Sequence, residues 1–130
     1  MGLDMYLGKA RKIADNKVDN FEEVGYWRKA NQIHKWFVDN CQNGIDECQM
    51  VIVKKEKLEE LLVTCLDIIN NKDNKSLAKR ELPTQNGFFF GGTEYDEYYF
   101  QEIESTIEIL KKVLEETNFE ESVITYQSSW

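Results

Sequence analysis

Apolar positions recur at helical spacing in three stretches of this chain. Between Tyr26 and Cys41, the residues Trp27, Ala30, Ile33, Phe37 and Cys41 fall on one stripe with Val38 beside it. This is the i, i+3, i+4, i+7 pattern of a helix that buries one side. Gly25 precedes it and Asn43-Gly44 stops it. A second helix is predicted from Lys54, with Leu58, Leu61, Leu62, Cys65, Leu66 and Ile69 inside and Glu56, Lys57 and Glu60 outside. The third has Tyr99, Ile103, Ile107, Leu110 and Leu114 at helical spacing, behind Thr93 and Asp96 placed as a capping box.

Period-two patterning appears at the ends and in the middle. Leu3, Met5 and Leu7 alternate with Asp4 and Tyr6 as in a short strand. Gln49 to Val53 is a β-branched run, and Ser122 to Trp130 reads as a terminal strand. Lys9 to Asn20 has only weak apolar spacing and is expected to be a loop or short helix. Asn70 to Lys75 is expected to be a solvated loop. Each helix has one apolar stripe and needs one covering layer. The fold predicted is therefore α+β: three main helices packed on a small, mostly antiparallel sheet, in a single compact domain over residues 1–130.

Size and composition agree with that picture. The chain has 130 residues, 42% hydrophobic and 31% charged, enough to bury a core without disulfide staples. No apolar run approaches membrane-spanning length, and the start lacks a basic, then apolar, leader. Gly2 is followed at position 6 by Tyr rather than Ser or Thr, against myristoylation. Cys41, Cys48 and Cys65 are odd in number and lack metal-ligand spacing. No metal and no cofactor are expected, and the compartment expected is the cytoplasm.

Charge changes the picture more. The net charge is −8. Between Glu94 and Glu121 ten acidic residues face two lysines, which accounts for the whole excess. Glu97, Glu104, Glu108 and Glu115 are candidates for an acidic face that binds a partner with a basic surface. Such a surface repels nucleic acid directly.

Binding chemistry concentrates elsewhere, around the first helix. Arg28, Asn31 and His34 are three apart and share a line with Tyr26. Arg28 offers a planar donor fork for phosphate or carboxylate. Tyr26, Trp27 and Phe88 supply rings that stack on a base, with Tyr95 near the start of the third helix. That gives a ligand-binding set of Tyr26, Trp27, Arg28, Asn31, His34, Phe88 and Tyr95. Phe88-Phe89-Phe90 is bracketed by Gly87 and Gly91, and three adjacent rings in extended chain do not all face one core. Gly87-x-x-x-Gly91-Gly92 is not a P-loop, since no Gly-Lys-Ser/Thr follows. No catalytic residue is assigned, although His34 with Asp96 or Glu97 would suit a small hydrolase if the fold joined them.

Several blocks taken together carry a resemblance. They are Met1-Gly2-Leu3-Asp4-Met5-Tyr6-Leu7, Glu23 to Val38, Leu82-Pro83-Thr84-Gln85-Asn86-Gly87-Phe88-Phe89-Phe90-Gly91, Tyr95-Asp96-Glu97-Tyr98-Tyr99, and Tyr126-Gln127-Ser128-Ser129-Trp130. As a set they resemble a family of small proteins encoded by bacteriophages and prophages. The resemblance implies an accessory protein of the infected or lysogenic bacterial cytoplasm, and it supplies no catalytic residues. The leading expectation is a counter-defence protein that inhibits a bacterial immune system by binding a host or defence-system protein. An anti-CRISPR acting through the acidic face is its most concrete form. The alternative is a binder or sponge for a nucleotide immune signal, and the third reading is the small hydrolase. Neither a membrane nor direct nucleic-acid contact is expected, and the oligomeric state is open, a homodimer included.

Overall fold

The computed structural model describes residues 2–14, 17–87 and 90–130. Among them run β1 (Asp4–Ala14), β2 (Lys17–Arg28), α1 (Asn31–Cys41), β3 (Val51–Val53), α2 (Lys55–Ile69), α3 (Lys75–Glu81), α4 (Glu97–Glu116) and β4 (Ser122–Ser129). The fold is α+β, as the patterning predicts. The four strands form one antiparallel sheet in the order β2-β1-β4-β3.

Two differences from the sequence reading bear on the site. The stretch expected to be a loop or short helix, Lys9 to Asn20, instead extends β1 to Ala14 and opens β2 at Lys17. The first helix begins at Asn31, not near Tyr26, so Tyr26, Trp27 and Arg28 are the last three residues of β2. Trp27 pairs with Met5 and Tyr26 with Tyr6. The reason is local. Trp27 faces the core from the end of a strand, and Ala30, Ile33 and Phe37 face the same core from the helix that follows. An inward stripe therefore runs unbroken across the junction. The corner itself is made by Lys29, whose φ is 59°, in the left-handed region. Its amide donates to Leu3 O at 2.7 Å, which ties the corner to the start of β1.

One face of the sheet is covered. Met5, Leu7, Trp27, Ile124 and Tyr126 meet Ile33 and Phe37 of α1, Leu58, Leu61 and Cys65 of α2, and Ile103 and Leu110 of α4 in one core. Phe37 stacks on Tyr126 with ring centroids 4.0 Å apart. Gly25 lets α4 lie directly on β2, because a Cβ there would come within 2.7 Å of Ile109 Cγ2. The opposite face is open, with Phe21, Tyr26 and Ile52 all exposed.

The short α3 was not visible in the apolar pattern, since only Ala78 in it is buried. The cap of α4 is Asp96 rather than the Thr93 end of the expected box. Asp96 is extended and its carboxylate accepts from the Tyr99 amide at 3.2 Å, which satisfies one of the helix's free donors. Among the described residues no helix is long and apolar enough to cross a membrane.

A cleft at the corner between strand and helix

The end of β2, the Lys29 corner, the start of α1, the loop at Gly91-Gly92 and the first turns of α4 enclose a cleft of about 470 Å³. That volume falls in the ordinary range of small-molecule sites, about 300–1,000 Å³. Tyr26, Trp27, Tyr98 and Tyr99 are among its lining residues, although the Tyr26 ring packs against Tyr6 and its hydroxyl donates to Asp4 on the open face of the sheet. Arg28 and Lys29 contribute cations, Glu94, Asp96 and Glu102 carboxylates, and Gln32, Gln101 and Ser105 neutral polar groups.

The start of α1 lacks a side-chain cap. Its N-cap is Ala30, which has no side chain to cap the helix, and no acid sits in the first turn. The Ile33 and His34 amides both donate to Ala30 O. The Asn31 and Gln32 amides meet no acceptor among the described residues. Free N–H groups and the positive end of the helix dipole favour negative charge there.

The floor of the cleft is held from both sides. Gln32, only 1% exposed, donates through Nε2 to Tyr99 O at 3.4 Å and to Glu102 Oε1 at 3.3 Å. Both partners are acceptors, which fixes the amide's orientation and turns Gln32 Oε1 away from them. Burial drives the Glu102 carboxyl up to about 7, the Gln32 bond opposing and Asp96 adding to the shift. Behind the floor, Trp27 Nε1 donates to Thr106 Oγ1 at 2.8 Å, and Thr106 in turn donates to Glu102 O at 2.7 Å. This pairing locks Trp27 against α4.

Of the ligand-binding set read from the sequence, the cleft brings together Tyr26, Trp27 and Arg28. Asn31 faces the other way and clamps the loop before α4. Its Nδ2 donates to Phe90 O at 3.1 Å and Gly92 O at 2.8 Å, and its Oδ1 accepts from the Gln85 amide at 2.9 Å. Gly91 makes that close approach possible: its φ is +92°, and a Cβ would lie 3.0 Å from Lys29 O. Tyr95 also serves the loop, its hydroxyl accepting from the Thr84 amide at 3.0 Å. Phe88 lies outside the described residues.

His34 is fully buried and has a partner on each nitrogen. Nε2 meets Asp46 Oδ2 at 2.9 Å and Nδ1 meets the Tyr126 hydroxyl at 2.6 Å. A carboxylate only accepts, so Nε2 donates, and a neutral ring then accepts from Tyr126 at Nδ1. Burial raises the Tyr126 hydroxyl well above the ordinary tyrosine range, with Asp46 adding to it, which keeps it a donor. Trp130 Nε1 closes the network on Asp46 Oδ1 at 3.0 Å, and Phe90 packs edge-on against His34. Neither Asp96 nor Glu97 is among the partners of His34. The arrangement joins α1, the Asp46 turn and the C-terminal strand, and gives a substrate no access to the imidazole.

The acidic candidates Glu97, Glu104, Glu108 and Glu115 are all exposed along α4. Glu104 is paired with Lys72 at 2.9 Å, and Lys111 and Lys112 are exposed on the same helix. Among the described residues no group of three or more His, Cys, Asp or Glu is placed to hold a metal ion.

Sequence reasoning missed Gln32, Glu102 and Lys29. The first two carried a signal: Glu102 lies between Tyr99 and Thr106 on the inward side of α4, and Gln32 adjoins Ile33 and Trp36 in α1. A charge or amide set into an apolar stripe marks a polar group held inside. Comparison of the chain with family models, with curated proteins and with solved structures returned no match.

Proposed function

We propose that this chain is a small binding protein whose cleft takes a phosphorylated ligand bearing a planar ring, a nucleotide being the fitting class. The observation that supports this most directly is the uncapped N-terminus of α1 beside Arg28 and Lys29, at the edge of a cleft that the exposed Tyr98 lines. Free amides with a guanidinium and an ammonium form an anion site. The exposed Tyr98 ring supplies stacking surface for a base. With the resemblance to phage-encoded proteins, the reading is of a counter-defence protein that sequesters a nucleotide signal in the infected cell.

Calorimetric titration with nucleoside monophosphates, the matching nucleosides and pyrophosphate tests it. Phosphorylated members should bind at least about tenfold more tightly than nucleosides, since a charge-assisted bond contributes about 1.5–3 kcal/mol. Arg28→Ala should remove most of that difference while changing stability by no more than about 0.5 kcal/mol, as is usual at an exposed position. Absence of binding by every member rejects the reading.

A second reading, inhibition of a defence protein such as a CRISPR effector through an acidic face, rests on one observation. Glu104 and Glu108 flank an open groove on α4 that also carries Leu66, Ile69 and Ile107. Glu104→Lys with Glu108→Lys should abolish inhibition on that reading and leave nucleotide binding intact on the first.

A further inference from the structure

The anion site accounts for one end of the cleft and leaves its floor unexplained. Gln32 is buried to 1% exposure, yet no donor among the described residues reaches its Oε1. Nor is that oxygen sealed from solvent: the buried side-chain atoms lacking a partner are Gln42 Oε1 and Ser128 Oγ, while Gln32 lines the cleft. Glu102 shows the same one-sidedness. Oε1 takes the Gln32 amide, and Oε2 receives no donor from the described residues. The floor therefore offers two oxygen acceptors, Gln32 Oε1 and Glu102 Oε2, to which no donor among the described residues is bonded.

We propose that Gln32 and Glu102 select the ring, favouring one that presents adjacent N–H donors, as the guanine edge does, over an adenine-type ring. The selection rests on the nucleotide reading of the same cleft. Guanine carries a ring N–H and an exocyclic amine side by side, and Glu102 accepts from both once it is ionised, above about pH 7. Adenine places an acceptor where guanine has its ring N–H, and an acceptor facing Glu102 leaves two lone pairs opposed. A site built to bond a particular polar edge rejects an analogue that lacks it far better than an apolar pocket does. The exposed Tyr98 ring would stack on either ring alike, so discrimination falls to the floor.

The test is calorimetry of the full chain at pH 8, where Glu102 is ionised, with GMP, AMP and IMP, in wild type and in Glu102→Gln. IMP keeps the ring N–H but lacks the exocyclic amine. In wild type GMP should bind about tenfold or more tightly than AMP, with IMP between. Glu102→Gln keeps the shape and the bond from Gln32 but turns one acceptor into a donor, so the GMP preference should fall at least about tenfold. Ser76→Ala, exposed on α3 and outside the cleft, should leave the preference unchanged. Pyrophosphate affinity should be the same in wild type and both variants. Equal binding of GMP and AMP, or a preference untouched by Glu102→Gln, overturns the ring selection alone and leaves the nucleotide reading standing. Failure of every nucleotide and of pyrophosphate to bind overturns both.

Discussion

Replacing Glu102 with glutamine should stabilise the fold at alkaline pH and not at acid pH. Burial raises this carboxyl from an ordinary 4.5 to about 7, so as pH rises the unfolded chain releases the proton before the folded one does. The stability tied to the group is fully present below pH 4.5 and lost as pH climbs to about 7. Each pH unit in that window corresponds to about 1.4 kcal/mol, which sets an upper bound near 3 kcal/mol. Glu102 is half-buried at the cleft wall, and solvent contact reduces the figure to about 1–2 kcal/mol. Glutamine keeps the bond from Gln32 Nε2 and carries no charge to desolvate. Urea denaturation of both proteins at half-unit steps from pH 4.5 to 8.5 is the assay. The difference in unfolding free energy should open between pH 5 and 7 in favour of Glu102→Gln and then level off. Two results refute the reasoning: a difference that stays constant with pH, or wild type more stable at pH 8. A stable Glu102→Gln protein also secures the binding test, because lost ring preference then does not come from unfolding.

Phe37→Ala removes a fully buried ring stacked on Tyr126 and should destabilise by about 3–5 kcal/mol in equilibrium denaturation. A change below about 1 kcal/mol would mean the core is not organised around that pair. His34→Ala leaves the Tyr126 hydroxyl buried without its partner and should destabilise by about 2–4 kcal/mol. Its nucleotide affinity, measured by calorimetry on the folded fraction, should match wild type; a large loss there would return His34 to the site. Asn31→Ala frees the loop at Phe90 and Gly92 from α1 and should speed amide exchange in residues 84–87 and 90–95, with exchange in the sheet unchanged.

What the sequence reveals of this fold depends on whether an element keeps its period. α2 and α4 are regular amphipathic helices, and Leu58, Leu61 and Cys65 or Ile103, Ile107 and Leu110 show their inward faces plainly. β2 does not, although it is 12 residues long. Its pairing with β1 shifts register between Leu7 and Gly8, between Lys9 and Arg11 and between Lys12 and Ala14. A residue added on one strand at such a place resets which side chains face inward. The alternation that marks a strand is thereby erased from a stretch such as Phe21-Glu22-Glu23-Val24.

The site follows the same logic with one further step. Tyr26, Trp27 and Arg28, candidates picked for their chemistry, do line one cleft, although the patterning assigns them to a helix they do not belong to. On one helix Arg28 would have stood in line with Asn31 and His34. The strand assignment and the left-handed corner at Lys29 separate them. Arg28 stays with the cleft, Asn31 turns to the loop, and His34 sinks into the core between Tyr126 and Asp46. The corner also leaves α1 with Ala30 as its cap, so the helix start is unsatisfied where Arg28 and Lys29 stand. No spacing rule within one segment contains that juxtaposition, because it needs the end of β2, the start of α1 and the first turns of α4 together. Gly25 is what brings the last of these in, by letting α4 rest on β2 without an intervening side chain. A bulkier residue at 25 displaces the Ile109 side chain or moves α4 against β2, since its Cβ would lie 2.7 Å from Ile109 Cγ2.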